Sequence, residues 1–66
     1  MAVDVTERAI RLPEVMDMVG MSRSWVYARI AKGEFPKPAY QFGGAKAWSL
    51  TEVLAWIDRQ RIKHVV

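Results

Sequence analysis

The sequence predicts a mainly α-helical domain with one small β-hairpin, and three observations lead to this fold class. Apolar residues repeat at helical spacing in three segments. A glycine-containing turn of about three residues separates the first two segments, as in a helix-turn-helix. Two short aromatic-bearing arms then flank Gly43-Gly44, which is typical of a hairpin with a tight primed turn. A helix-turn-helix followed by a hairpin and a closing helix is a winged helix-turn-helix.

The first helix is predicted from Pro13 to about Val19. Proline suits the first helical position because its missing N–H would be unpaired there, and Glu14 places a favourable negative charge in the first turn. Gly20 then ends the helix, since glycine tolerates positive φ. The apolar positions at i, i+3, i+4 and i+7 form one stripe that we expect to be buried: Leu12, Val15, Met16 and Val19.

The second helix is predicted from Arg23 to Lys32, with Ser22 as its N-cap and Gly33 after its end. Val26 and Ile30 lie four residues apart, so they share one face of this helix and are expected to pack against the first helix. The remaining polar and aromatic side chains must point elsewhere.

The hairpin arms are residues 39–42 and 45–48, and Phe35 is expected to anchor the proline-containing segment before them. The third helix has the clearest start, because Ser49 and Glu52 have the spacing of a capping box. We expect this helix to run to about Lys63. Trp56 accompanies its apolar stripe, which consists of Leu50, Val53, Leu54 and Ile57.

Length and composition limit the class of protein. The chain has 66 residues, enough for one domain, which we place at residues 9–63 after a flexible tail at residues 1–8. The absence of cysteine excludes disulfides and thiolate metal sites. Apolar runs are too short for a membrane span, and the first ten residues do not resemble a signal peptide, so we expect a soluble cytoplasmic protein.

Positive charge is concentrated in the middle of the chain. Residues 21–48 hold five basic side chains and one acidic side chain, whereas residues 1–20 have a net charge of −2. A basic patch on a small domain indicates a polyanion partner, although the same charges also occur as ordinary solubilising surface. Together with the predicted helix-turn-helix, this charge leads us to expect double-stranded DNA as the partner.

The first turn of the second helix is the predicted base-reading element, because this end of a helix-turn-helix meets base edges in the major groove. Arg23 there has the geometry for a bidentate contact to guanine, and Ser24 can donate or accept. Ser22 and the free N–H groups beside it suit a phosphate. Arg29 and Lys32 are expected to meet the flanking DNA backbone.

Aromatic and wing residues are open to two interpretations. Trp25 either covers the edge of the core or contacts a thymine methyl group or a sugar. Tyr27 is expected to be a partly buried ring whose hydroxyl is free to bond a phosphate. Gly43 and Gly44 form a turn, but as a wing tip they also allow the backbone to approach DNA closely, with Lys46 adding charge.

Catalysis is not expected. The only histidine, His64, has no partner in the sequence pattern, and no phosphate-binding loop or metal-ligand spacing is present. A domain of this size also has little room for a substrate pocket. We expect no cofactor, metal or small-molecule substrate.

The sequence resembles the AlpA-type prophage regulators over about residues 10–60. The matching segments are Leu12–Val15, Gly20–Ser24, Val26-Tyr27, Gly33–Pro38, and Trp48 with Glu52-Val53 and Trp56-Ile57. These regulators are small winged helix-turn-helix proteins related to phage excisionases and, more distantly, to MerR-type DNA-binding domains. Two departures are that Trp25 stands where the family more often has a small residue, and that the second hairpin arm is short and poor in arginine.

The resemblance implies a bacterial DNA-binding protein encoded by a phage or genomic island. Such proteins activate an integrase gene or act as excisionases that bend attachment-site DNA. A monomer with so few basic residues would bind DNA modestly, so we also expect neighbouring copies to bind on repeated sites. The family's helix-two contacts would fall on Ser22, Arg23, Ser24, Trp25, Tyr27 and Arg29. An alternative from another class is a protein-interaction module that inhibits a regulator or an integrase, which the aromatic content and the off-stripe position of Met18 suggest.

Overall fold

The computed structural model describes residues 7–62 as three helices and a three-stranded antiparallel sheet. The elements in chain order are β1 (Ala9–Ile10), α1 (Leu12–Val19), α2 (Arg23–Ala31), β2 (Tyr40–Phe42), β3 (Ala45–Ser49) and α3 (Leu50–Arg59). This order confirms the predicted winged helix-turn-helix, in which β2 and β3 form the wing. Most of the tail predicted at residues 1–8 lies outside the described residues.

The turn between α1 and α2 forms as the sequence predicts. Gly20 has φ +68°, and its N–H donates to the carbonyl of Met16 at 2.7 Å, which ends α1. Ser22 then caps α2, because its Oγ accepts the N–H of Trp25 at 3.2 Å. Local interactions therefore determine where one helix ends and the next begins.

The sheet has the order β1-β3-β2, so β3 is its central strand. Ile10 pairs with Trp48 between β1 and β3, and Gln41 pairs with Lys46 between β2 and β3. Ala9 and Ile10 form too short a piece to show strand periodicity, so the sequence pattern predicts no strand before α1. Pairing with β3 is what makes this piece a strand.

The core lies between the sheet and the helices, and Trp48 is its largest fully buried side chain. The indole Nε1–H of Trp48 donates to the carbonyl of Pro36 at 2.9 Å, which ties β3 to the loop after α2. Phe35 is also buried, as the sequence predicted. The other buried core residues are Ile10, Val15, Val26, Ala47 and Val53.

The start of α3 confirms half of the predicted capping box. The Ser49 Oγ accepts the N–H of Glu52 at 3.2 Å. The reciprocal bond from the Glu52 carboxylate is absent from the described residues, and the Ser49 hydroxyl instead donates to the Glu7 carboxylate, 3.0 and 3.1 Å from its two oxygens. Glu7 and Arg8, placed in the tail by the sequence, thus contact the domain, since the Arg8 carbonyl also accepts the N–H of Leu50 at 2.8 Å.

The end of α3 differs from the prediction. The helix stops at Arg59 rather than near Lys63, which itself lies outside the described residues. Its apolar stripe has no core to cover beyond Ile57, and Ile62 is 81% exposed. Leu54 is also half exposed, so the predicted stripe is narrower than the sequence suggested.

The wing turn offers a direct test of backbone strain. Gly43 has φ +62°, whereas Gly44 does not have positive φ, as in a type II′ turn, and neither glycine has a neighbour that an added Cβ would touch. Gly43→Ala is therefore expected to lower the free energy of unfolding by about 1–2 kcal/mol through backbone strain alone. Gly44→Ala is the matched control and is expected to be neutral or slightly stabilising. Urea unfolding of both variants checks this, and equal stabilities would contradict it.

Candidate nucleic-acid interface

The outward surface of α2 is the first candidate. Ser24 and Ala28 are two residues before and after buried Val26, so each lies about 200° around the helix from it, on the opposite side. Both are exposed. Ala31 continues the same exposed surface. Sequence reasoning missed the two alanines, although their helical phase opposite Val26 identifies them. Small side chains here leave the helix backbone open to close approach.

A concave surface of about 560 Å³ lies between the start of α1, the first turn of α2 and the wing. We call it the basic groove, because three cationic side chains line it: Arg11, Arg23 and Lys46. Tyr27 and Gly44 also line it. The structure therefore brings four of the ten residues predicted for DNA binding into one groove, together with Arg11, which was not predicted.

The position of Lys46 follows from the pleat of β3. Side chains alternate between the two faces of a strand, so Lys46 shares a face with Trp48, two residues later. Trp48 is buried on the face that meets Tyr27 of α2, with the two ring centroids 6.5 Å apart. Lys46 thus lies on the face of the wing that is turned toward α2. It is nearer the wing turn than Trp48, outside the core, and is exposed.

Tyr27 connects the groove to the core. Its ring packs edge-on against buried Trp48 on one side, and the Arg23 guanidinium carbon lies 5.7 Å from its centroid. The ring is 41% exposed, as the sequence predicted for a partly buried tyrosine. A core residue thus orders Tyr27, and Tyr27 orders Arg23, which reduces the conformational freedom that Arg23 would lose on binding a ligand.

The basic groove has no acidic lining residue. Within residues 7–62, the salt bridges involve Arg8, Arg29 and Arg61 and leave out Arg11, Arg23 and Lys46. The charge of the groove is therefore uncompensated by ion pairs in the described part of the chain. Such a surface attracts anions.

Trp25 and Arg29 lie on the other flank of α2. Trp25 is half-buried and packs edge-on against Trp56 at 6.3 Å, and Trp56 in turn packs against Phe35 at 4.7 Å. Trp25 thus covers the edge of the core, one of the two interpretations of the sequence, and its contact with DNA stays a prediction. Arg29 lies 4.9 Å over the Trp25 ring and forms a 3.1 Å ion pair with Glu34.

The remaining predicted contact residues flank these surfaces. Lys32 is exposed at the C-cap of α2, Ser22 is exposed at its N-cap, and Gly43 forms the tip of the wing. Met18 was expected to fall off the buried stripe of α1, but it is partly buried and packs against the core. Met18 therefore no longer favours a protein-interaction module.

Metal-binding clusters and membrane-spanning helices are both absent from residues 7–62. No group of three or more His, Cys, Asp or Glu side chains in this range is placed to hold a metal ion. None of the helices in this range is long and apolar enough to cross a membrane. His64 lies outside the described residues.

The fold and the arrangement of its surfaces define a small winged helix-turn-helix protein. A family model described as "Prophage CP4-57 regulatory protein (AlpA)" matches residues 8–62. The chain therefore belongs to the AlpA family of prophage regulatory proteins, which confirms the resemblance seen in the sequence.

A relative from a phage is consistent with this assignment. The chain is 52% identical over 56 residues to "Uncharacterized protein ORF88" of Enterobacteria phage P4, a match that covers 82% of this chain and 62% of that protein. The chain thus spans about three fifths of the length of this relative. No solved structure matches the chain.

Proposed function

We propose that this protein binds double-stranded DNA sequence-specifically and regulates transcription for a phage or genomic island. The observation that carries the proposal is the basic groove, in which Arg11, Arg23 and Lys46 meet beside the exposed first turn of α2 without ion-pair partners among the described residues. Membership of a phage regulatory family supports the same role. This role is one of binding rather than catalysis, exercised on the nucleoid in the cytoplasm.

The outward surface of α2 is the part that enters the major groove. That groove is about 12 Å wide and accommodates an α-helix. Ser24, Ala28 and Ala31 would face the base edges, and the small alanines bring the helix close to them. Arg23, in the first turn, reaches the bases from the side of the wing.

The wing contacts the DNA backbone beside α2. Lys46 supplies the charge, and Gly44 lets the turn approach a phosphate. On the opposite flank of α2, Arg29 and Lys32 would meet the other strand, but Glu34 already neutralises part of the Arg29 charge. The two flanks should therefore contribute unequally.

Selection of bound sequences from a random pool of DNA duplexes tests the proposal. We expect one short motif to be enriched. Direct repeats of the motif would indicate neighbouring copies side by side, and an inverted repeat would indicate a twofold dimer. Failure to enrich any motif would contradict a sequence-specific regulator.

Two phage roles use the same surface, activation of an integrase gene and excision through bending of attachment-site DNA. We place activation first, because the matching family is one of regulatory proteins. Transcription in vitro from an integrase promoter that contains the selected motif distinguishes them. Activation should require that motif, whereas an excisionase should instead promote excisive recombination without raising transcript levels.

Lys46→Gln and Arg29→Gln compare the two flanks of α2. The first variant removes one positive charge on the wing side, and the second removes one on the opposite side. Lys46→Gln is expected to make the slope of log K against log salt concentration shallower by about 0.9, the value for one lost phosphate contact. Arg29→Gln should change the slope less, because Glu34 shares its charge. Binding isotherms at four salt concentrations measure the slope for both variants. A larger change for Arg29→Gln would show that the flank of α2 that carries Arg29 makes the main contact with the DNA backbone.

A further inference from the structure

We propose that Arg11 binds a DNA phosphate and, with Lys46, fixes the backbone strand that passes between α2 and the wing. This inference rests on the proposed function and extends it to a residue outside both α2 and the wing. Arg11 lies between β1 and α1, a segment to which the sequence pattern gave no binding role.

The backbone around Arg11 is held on both sides. Before it, Ile10 is buried and paired with Trp48 of β3. After it, the Arg11 carbonyl accepts the N–H of Val15 at 3.1 Å, in the first turn of α1. The Arg11 side chain therefore projects from a fixed position and lines the basic groove together with Lys46.

Within residues 7–62, no hydrogen bond or salt bridge involves the Arg11 side chain. It is exposed, and although Arg11 is the N-cap residue of α1, its side chain makes no capping hydrogen bond. Glu14, the carboxylate in the first turn of α1, pairs with Arg8 at 3.4 Å. Among the described residues, this pairing leaves the Arg11 guanidinium without a carboxylate partner, in contrast to Arg29, whose charge is paired with Glu34.

Phosphate is the ligand that this position favours. A guanidinium binds phosphate oxygens through two parallel N–H donors. When α2 lies in the major groove, groups on either side of it meet the sugar-phosphate backbone rather than base edges. Arg11 and Lys46 line the basic groove from two different elements, the cap of α1 and the wing, so one strand that crosses the groove contacts both.

The test is the salt dependence of binding of the full chain to two duplexes, one with the selected motif and one of random sequence. Arg11→Gln should make the log–log slope shallower by about 0.9 for both duplexes, and lower both affinities by the same factor. Arg11→Lys, which keeps the charge, should restore the slope. Arg59→Gln, which removes a positive charge from the last turn of α3 outside the groove, should leave the slope unchanged.

The outcomes separate this inference from the function on which it rests. If the wild-type protein shows no salt-dependent binding to either duplex, both fail. If the wild type binds and Lys46→Gln makes the slope shallower while Arg11→Gln does not, only the role proposed for Arg11 is wrong. If Arg11→Gln lost affinity for the motif duplex only, the phosphate contact would also be wrong, because Arg11 would then contact a base. Circular dichroism of Arg11→Gln should match the wild type, since the Arg11 side chain forms no hydrogen bond or salt bridge within residues 7–62.

Discussion

Replacing Arg23 by alanine is expected to lower the affinity for the selected DNA motif by about 1–3 kcal/mol and to relax base preference at one position. Arg23 lies in the exposed first turn of α2, and its guanidinium rests 5.7 Å from the centre of the Tyr27 ring. We expect the ring to hold the side chain near its proposed binding position before DNA arrives. A guanine is the expected partner, because its O6 and N7 accept both N–H donors of a guanidinium.

Arg23→Lys is the matched control for the alanine variant. Lysine keeps the positive charge but lacks the planar pair of donors. We therefore expect Arg23→Lys to retain the salt dependence of the wild type while losing the preference at that base pair. Competition binding against all four base pairs at each position of the motif measures this. An unchanged preference in Arg23→Ala would mean that the first turn of α2 does not read the bases.

Replacing Trp48 by alanine should have the largest effect on folding. Truncating a buried tryptophan costs about 3–5 kcal/mol, and Trp48→Ala also leaves the Pro36 carbonyl without the indole donor that it accepts at 2.9 Å. A single domain gains roughly 0.05–0.15 kcal/mol of stability per residue, so a loss of this size removes much or all of the stability of a chain this short. Urea unfolding followed by circular dichroism measures the change.

Two variants of the aromatic residues control for the truncation itself. Trp48→Phe keeps an aromatic ring and should cost less than Trp48→Ala, the remaining loss coming from the missing hydrogen bond and the smaller ring. Phe42→Ala removes a ring that is 60% exposed on β2 and should cost far less. If Trp48→Ala were no more destabilising than Phe42→Ala, the core would not be centred on β3.

The features that the sequence predicted correctly are those determined by neighbouring residues. The turn between α1 and α2 depends on Gly20 and Ser22, and both make the predicted local interactions. The wing depends on Gly43 at positive φ. The start of α3 depends on Ser49, whose cap is also local.

The features that the sequence could not predict depend on long-range pairing. Strand β1 exists because β3 pairs with it, and this pairing also brings Arg11 into the basic groove. Whether Trp25 is at the core edge depends on where α3 places Trp56, which no local pattern near Trp25 reveals. The early end of α3 reflects the extent of the core, again a property of the whole fold.

The central claim is that the outward surface of α2 and the basic groove together form the DNA-binding surface. The most direct test is titration of the ¹⁵N-labelled protein with the selected duplex, followed by backbone amide chemical shifts. The largest changes are expected at Arg23, Ser24 and Ala28, and around Arg11 and Lys46, with little change at Leu54 and Asp58 of α3. Changes centred instead on the surface formed by Trp25, Trp56 and Gln60 would contradict this claim.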